Sequence, residues 1–234
     1  MPSAVDICNT ALSHIGDTAN VSSIDPPDGS VQAGYCKTFY PIAVNSLLEM
    51  ATWGFSTKRV ALAAVANPSS TWLYAYACPS DSINLIAVLP SGALDDYSQN
   101  FATLGSSAAF AMGGPAFPDF EFANPADNFY APQPYSVEID DEGNSIILTN
   151  CDSAVLRYTQ AVSDPTKFSP LFVMALSYLL ASMLAGPIIK GEAGATMSGA
   201  MLTKFQAFKI QATSSDANQR RTVVKQSVSW MAGR

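Results

Sequence analysis

The sequence holds 234 residues, 48% of them apolar and only 13% charged, with 12 Lys and Arg against 19 Asp and Glu. That length supports one large domain or two small ones with a proper core, and ordinary Gly and Pro usage excludes a collagen-like or disordered chain. Charge content is about half the usual ~25%, so much of the surface is expected to face other subunits, and a net charge of −7 argues against a protein that wraps nucleic acid in Lys and Arg.

The N-terminal stretch MPSAVDICNTALSHIG has no basic region and carries Asp6 and His14 early, so it does not read as a secretion signal. Ser3 is placed to cap a first helix, with Asp6 three residues on as a capping-box variant. Ala4, Ile7, Cys8, Ala11, Leu12 and Ile15 then recur at helical spacing on one side, and Gly16 supplies the stop. Residues 17–29 contain Asp25-Pro26-Pro27-Asp28-Gly29 and read as a loop. A second helix is expected from Ser30 to about Thr52, with Cys36, Phe39, Tyr40, Val44, Leu47, Leu48 and Ala51 as its apolar positions. Pro41 should kink or interrupt it, because proline removes one ladder bond and clashes with the preceding turn.

From Trp53 the pattern changes to strands. Val60-Ala61-Leu62, residues 72–77, residues 83–89, Tyr135 to Asp140, Ser145 to Thr149 and residues 154–162 are the candidates, completing one antiparallel sheet. Asp141-Glu142-Gly143-Asn144 marks a hairpin turn between the two alternating runs. Residues 91–134, rich in Gly, Ala, Ser, Phe and Pro, are too long for a plain connection and read as a long loop or small insertion.

Helix returns at Ser169-Pro170, an N-cap followed by proline at the first helical position, and is expected to end at Gly186-Pro187. The run carries no charge over about 17 residues, roughly 25 Å, which falls short of the ~20 residues of a membrane span. No basic cluster or aromatic belt flanks it, so a helix buried on nearly all sides fits better. A last helix over 192–213 carries Met197, Met201, Leu202, Phe205, Phe208 and Ala212 as its apolar stripe. Residues 214–234 then form a basic tail tipped by an aromatic, expected to be a docking arm built on Arg220, Arg221, Lys225, Val228, Trp230 and Arg234.

Charge is unevenly spread. Residues 60–156 hold eleven acidic residues and no Lys or Arg, whereas residues 157–234 hold nine basic and three acidic ones. An acidic middle and a basic end point to two surfaces meeting two different partners. Asp81, Asp95, Asp96, Asp119, Glu121, Glu138, Asp140, Asp141 and Glu142 are the candidate acidic channel or interface face.

The residue types that carry common chemistries are sparse. His14 is the one histidine and sits at the edge of a helix's apolar face; no G-x-S-x-G elbow, H-E-x-x-H, paired Cys/His set, P-loop or G-x-G-x-x-G occurs. The four cysteines, Cys8, Cys36, Cys78 and Cys151, are far apart and read as reduced, packed thiols. Asp140-Asp141-Glu142-Gly143-Asn144 lacks the ligand spacing of a calcium loop and reads as a turn. No catalytic residue, metal site or cofactor is expected.

An ordered set of residues nevertheless resembles one family. Ile7-Cys8-Asn9-Thr10-Ala11-Leu12 through Ile15-Gly16, then Ala33, Cys36, Tyr40, Leu47-Leu48 and Trp53-Gly54-Phe55, is similar to the tail tubular protein A, or head-to-tail adaptor, family of short-tailed bacteriophages. Lys58-Arg59-Val60-Ala61-Leu62, Trp72 to Tyr76 with Pro79 and Asp81, Thr149-Asn150, Leu156 to Thr159, Ala175-Leu176 and Leu184-Ala185 follow in order. The similarity covers nearly the whole chain except residues 91–134.

The resemblance implies a non-enzymatic, dodecameric ring in the virion, synthesised in the host cytoplasm. It would sit between the portal protein and the nozzle, tail tubular protein B, and line the channel through which double-stranded DNA leaves, with no membrane insertion and no cofactor. Its fold would be α+β: a helical bundle of N- and C-terminal segments (1–57 and 164–213), an inserted antiparallel β domain (58–163) and an extended C-terminal arm (214–234) reaching the portal. The low charge adds the expectation of large interfaces between neighbours and a monomer that assembles on its portal template. The competing readings are another tail or head-completion structural protein, a cell-wall polysaccharide hydrolase using two carboxylates such as Asp140 and Glu142, and a membrane-active protein built on residues 171–189.

Overall fold

The computed structural model describes residues 2–18, 20–91 and 133–219. The fold is α+β, with helices in the N- and C-terminal regions and antiparallel strands between them. Among the described residues, contacts divide the chain into two units. The first holds residues 2–58, 81–84 and 159–219, and the second holds 59–80, 85–91 and 133–158.

In the first unit, α1 (Ala4–His14) begins at a complete capping box. The Ser3 hydroxyl accepts the Asp6 N–H, and the Asp6 carboxylate accepts the Ser3 N–H at 2.8 Å. Ile7, Cys8, Ala11, Leu12 and Ile15 are buried, and Gly16 adopts φ +80° where the chain leaves the helix. The Asp28 carboxylate accepts the N–H and hydroxyl of both Ser22 and Ser30, which locks the loop and leaves Ser30 to cap α2 (Val31–Glu49).

α2 runs through Pro41 without interruption, contrary to one of the two expected outcomes. Pro41 and Lys37, whose carbonyl loses its partner, both lie on the exposed side, where water replaces the missing bond. The helix stops at Glu49 rather than near Thr52. The Trp53 indole N–H donates to the Leu47 carbonyl at 2.9 Å, and the Asn84 amide donates to the Glu49 carbonyl at 2.7 Å, so side chains satisfy the last carbonyls.

α3 (Pro170–Ile189) occupies the centre of this unit, packed by α1, α2 and α4 (Gly191–Asn218). No residue from 171 to 185 is exposed, which explains why an uncharged helix is tolerated. It is the one helix among the described residues long and apolar enough to cross a membrane. Gly186-Pro187 does not end it: the Lys190 N–H still donates to the Gly186 carbonyl, and the turn comes at Lys190 and Gly191, with φ of 62° and 61°.

α4 continues five residues beyond the expected end at 213, so residues 214–218 are helical and not part of an arm. Ala212 and Asp216 lie one turn apart on the buried side and carry the helix through Ser214 and Ser215. Two further helical turns, Gly54–Ser56 and Pro165–Lys167, are 3₁₀. The core of the unit centres on Trp53, Phe55, Phe168 and Phe172, with Trp53 edge-on to Phe172 at 4.9 Å.

The expected single sheet is two. β1 (Thr57–Ala61), β7 (Val155–Gln160) and β4 (Ser82–Leu89) form one, in that order. β2 (Ala64–Val65), β3 (Tyr74–Ala77), β6 (Ser145–Thr149) and β5 (Tyr135–Ile139) form the other, antiparallel at each step. The chain changes sheets within two residues: the Leu62 N–H donates to the Ala154 carbonyl beside β7, and the Ala63 carbonyl accepts the Ala77 N–H of β3. β3 begins at Tyr74 rather than at residue 72, because Asn67 takes the Trp72 carbonyl and Asn150 takes the Leu73 N–H. Tyr76, Val88, Ile147, Leu156 and Tyr158 form the core of the second unit.

Candidate functional site

The Asp140–Asn144 segment shows why the most clustered carboxylates stand where they do. β5 and β6 are joined by a tight hairpin in which the Gly143 N–H donates to the Asp140 carbonyl and Gly143 takes φ +87°, a left-handed position suited to glycine. The Asp140 carboxylate accepts the N–H groups of Asn144 at 2.7 Å and Glu142 at 3.0 Å, together with the Asn144 amide. The hydrogen bond from Asn144 is the chief cause that holds the Asp140 carboxyl below its ordinary range. A general acid keeps its proton near neutral pH, so Asp140 is poorly suited to that half of a hydrolytic pair. Asp141 and Glu142 project from the same turn, and Glu138 lies exposed on β5.

Asp81 differs from these. It belongs to the first unit and pairs at 3.1 Å with Lys58, which stands just before the stretch 60–156 that holds no Lys or Arg. It is therefore a paired carboxylate that stands apart from the hairpin. Asp95, Asp96, Asp119 and Glu121 lie outside the described residues, as do Arg220, Arg221, Lys225, Val228, Trp230 and Arg234, and most of the expected insertion 91–134. The described members of the candidate acidic face are thus Asp81 and, together on the β5–β6 hairpin, Glu138, Asp140, Asp141 and Glu142.

Of the residues that carry the resemblance, those from Ile7 to Phe55 lie in the first unit. Asn9 clamps the chain after α1: its amide donates to the Val21 carbonyl and accepts the Val21 N–H, both at 2.9 Å. Ile7, Cys8, Leu12, Ala33, Cys36, Leu47, Leu48 and Trp53 are buried together, and Gly54 donates its N–H to Asp216 on α4. A Cβ at Gly54 would stand 3.2 Å from an Asp216 oxygen. This is packing chemistry, the kind that specifies a fold.

His14 sits in a stack. Its ring lies 4.1 Å from that of Tyr178 on α3, and Tyr178 stacks in turn on Phe208 of α4 at 5.0 Å. The Ser177 hydroxyl lies 2.8 Å from the Met174 carbonyl and 3.2 Å from His14 Nε2, within hydrogen-bond reach of both. Burial, helped by Lys204, holds the imidazole below its ordinary pKa.

Cys8, Cys36 and Cys151 are buried free thiols, and Cys36 beside Cys8 together with burial drives the Cys8 pKa up, making it a packing residue rather than a nucleophile. Among the described residues no group of three or more His, Cys, Asp or Glu is placed to hold a metal ion.

The molecule is therefore an α+β protein whose helical unit joins both ends of the described chain and which carries an exposed acidic hairpin in its second unit. No family model matches the sequence, and no curated protein matches it significantly.

Proposed function

We propose that this chain is a ring-forming structural protein of a phage virion, a head-to-tail adaptor that joins the portal to the nozzle and lines the channel for DNA ejection. The observation that carries the reading is that the N-terminal helices and the described C-terminal helices fold into one unit. The segments bearing the ordered adaptor-like residues, from Ile7 to Phe55 and from Ala175 to Ala185, share one helical unit, and strands fill the sequence between them. Asn9 and Trp53 each make a side-chain bond specific to their residue type, and at Gly54 a Cβ would stand 3.2 Å from the Asp216 carboxylate, so these three residues suit this packing.

The physical role follows from charge. A channel wall rich in carboxylates and poor in Lys and Arg repels phosphate, so DNA slides past without the counterion release that makes binding tight. The β5–β6 hairpin, with four carboxylates in five residues from Glu138 to Glu142, is the described element fitted to that wall or to a contact between copies. The basic C-terminal residues then serve the opposite partner: Arg220, Arg221 and Lys225 pair with acidic groups of the portal, and Trp230 fills an apolar pocket as an anchor.

Deleting residues 220–234 leaves α4 intact and tests the portal contact. The truncated protein is expected to fold, with unchanged helical circular dichroism, and to fail to join DNA-filled heads. Normal attachment by that truncated protein overturns the assignment of the arm.

A further inference from the structure

α1 and α2 meet through their two cysteines. Cys8 on α1 is flanked one helical turn away by Ala4 and Ala11, and Cys36 on α2 by Ala33 and Tyr40. Both thiols are free, fully buried in the same apolar core, and hydrogen-bonded to each other. Alanine at three of the four flanking positions leaves the helix backbones room to approach, as a disulfide requires: its Cα atoms stand no more than about 7 Å apart.

The contact is polarised. The hydrogen bond from Cys8 holds the Cys36 thiol below its ordinary range, against burial and the charge of Asp28, whereas Cys36 and burial push Cys8 up. Cys36 is therefore the sulfur that carries negative charge, and Cys8 the one that keeps its proton. A third group stands beside them. Tyr40 is 9% exposed, and its hydroxyl has no hydrogen-bond partner among the described residues. It lies close enough to Cys8 for charge on that sulfur to act on the phenol. A buried donor left unpaired is costly in a site that only packs, and it suits an anionic sulfur.

We propose that Cys8 and Cys36 form a disulfide site: they remain thiols in a reducing compartment and join when a small-molecule disulfide reaches them, fastening α1 to α2. The inference concerns the helical unit alone and stands whether or not the chain forms a ring. The Cys36 thiolate attacks one sulfur of the oxidant RSSR, giving a Cys36–SR mixed disulfide and a first RS⁻, which takes the Cys8 proton. The Cys8 thiolate then attacks Cys36 Sγ, forming the Cys8–Cys36 bond and expelling a second RS⁻. That anion takes from solvent the proton Cys36 gave up, so two protein thiols are oxidised and RSSR is reduced to two RSH. Neither sulfur is exposed, so exchange waits on an opening of α1. The product closes the chain from residue 8 to residue 36 and restrains it against unfolding.

The test uses the full chain. It is incubated with excess glutathione disulfide at mildly alkaline pH, in buffer and again in urea below the unfolding transition, where α1 opens more often. Lys37 is the first basic residue, so the first tryptic fragment is 1–37 and holds both cysteines. Mass spectrometry without reductant is expected to find this fragment lighter by two hydrogens, and dithiothreitol to restore it. The oxidised chain is expected to melt roughly 5 °C higher. Cys8→Ala is expected to stop at a Cys36–glutathione adduct, and Cys36→Ala to leave Cys8 unmodified. A fragment that keeps both thiols under both conditions overturns the site, as does one in the unsubstituted chain that holds a glutathione adduct without closing. A bond that forms but lowers the melting temperature shows that the native helices do not accommodate it, and overturns the site too. An adduct on Cys8 in Cys36→Ala overturns the order of attack. The fragment from the unsubstituted chain decides the bond even where a variant fails to fold.

Discussion

Both carboxylate oxygens of Asp216 accept the backbone N–H of Gly54, at 2.9 and 3.0 Å, across 162 residues of sequence. The contact ties the last helical turns of α4 to the turn after α2 and places a charged group that is 7% exposed against an amide donor. Asp216→Ala removes the acceptor and leaves the Gly54 N–H without it, a loss of about 2 kcal/mol for a bond to a charged group. Urea denaturation is expected to show that loss, with hydrogen exchange accelerated first in residues 212–218. An unchanged midpoint would mean that the end of α4 contributes nothing to the helical unit.

Asn9 is a second such clamp. Its two bonds to Val21 hold the chain that leaves α1 against the helix it has just left. Asn9→Ala loses both, about 2 kcal/mol at roughly 1 kcal/mol each. Asn9→Asp tests the geometry: it retains the acceptor for the Val21 N–H but sets a carboxylate against the Val21 carbonyl, and is expected to be no better than Ala. Thermal melting of the two variants distinguishes the cases.

The turn between α3 and α4 carries a strained residue beside an obligatory glycine. Lys190 has φ 62° and ψ 165°, a region that belongs to glycine, so Lys190→Gly is expected to raise stability by about 1 kcal/mol. Gly194 faces the other way. A Cβ there would meet the Ala185 carbonyl at 3.0 Å, and backbone cannot swing aside as a side chain does. Gly194→Val is expected to push the two helices apart and lower the melting temperature sharply, while Gly199→Ala, in open space on the same helix, raises or preserves it.

His14 makes stability depend on pH in a defined window. Its folded pKa is held below the ordinary 6.5, so the unfolded chain takes up the proton first. The stabilisation is fully present above pH 6.5 and is lost as pH falls below it. Lowered carboxyls, those of Asp6, Asp28, Asp140 and Asp164, act further down, below their ordinary 3.8. The denaturation midpoint is therefore expected to fall between pH 7 and pH 5, and His14→Gln to flatten that part of the curve. A wild-type curve that is level over this interval contradicts the assignment.

Local signals in the sequence were strong where one residue type has one job. Ser3, Asp6 and Gly16 marked α1, Ser169 and Pro170 marked the start of α3, and the alternating runs around Gly143 marked the β5–β6 hairpin. Signals failed where distant residues decide the outcome. The helix end at Glu49 depends on Trp53 and Asn84, and the extension of α4 depends on Gly54, none of which a periodicity can register. The division into two sheets turns on two backbone bonds at Leu62 and Ala63, within a run of uniform apolar residues. The acidic stretch is legible in the sequence, but the Lys58–Asp81 pair is not, because it joins residues 23 positions apart. Among candidate site residues, Glu138 and the 140–142 turn come together on one hairpin, with Asp140 largely occupied in forming it.

The claim on which the account depends is assembly into a ring that seats on a portal. Imaging the full-length protein mixed with that portal by electron microscopy tests it most directly. The account predicts a second annulus of identical copies stacked on the portal, with an open channel along a shared axis. Portal particles without added density, together with a lone protein of about 24.7 kDa in solution, would contradict it.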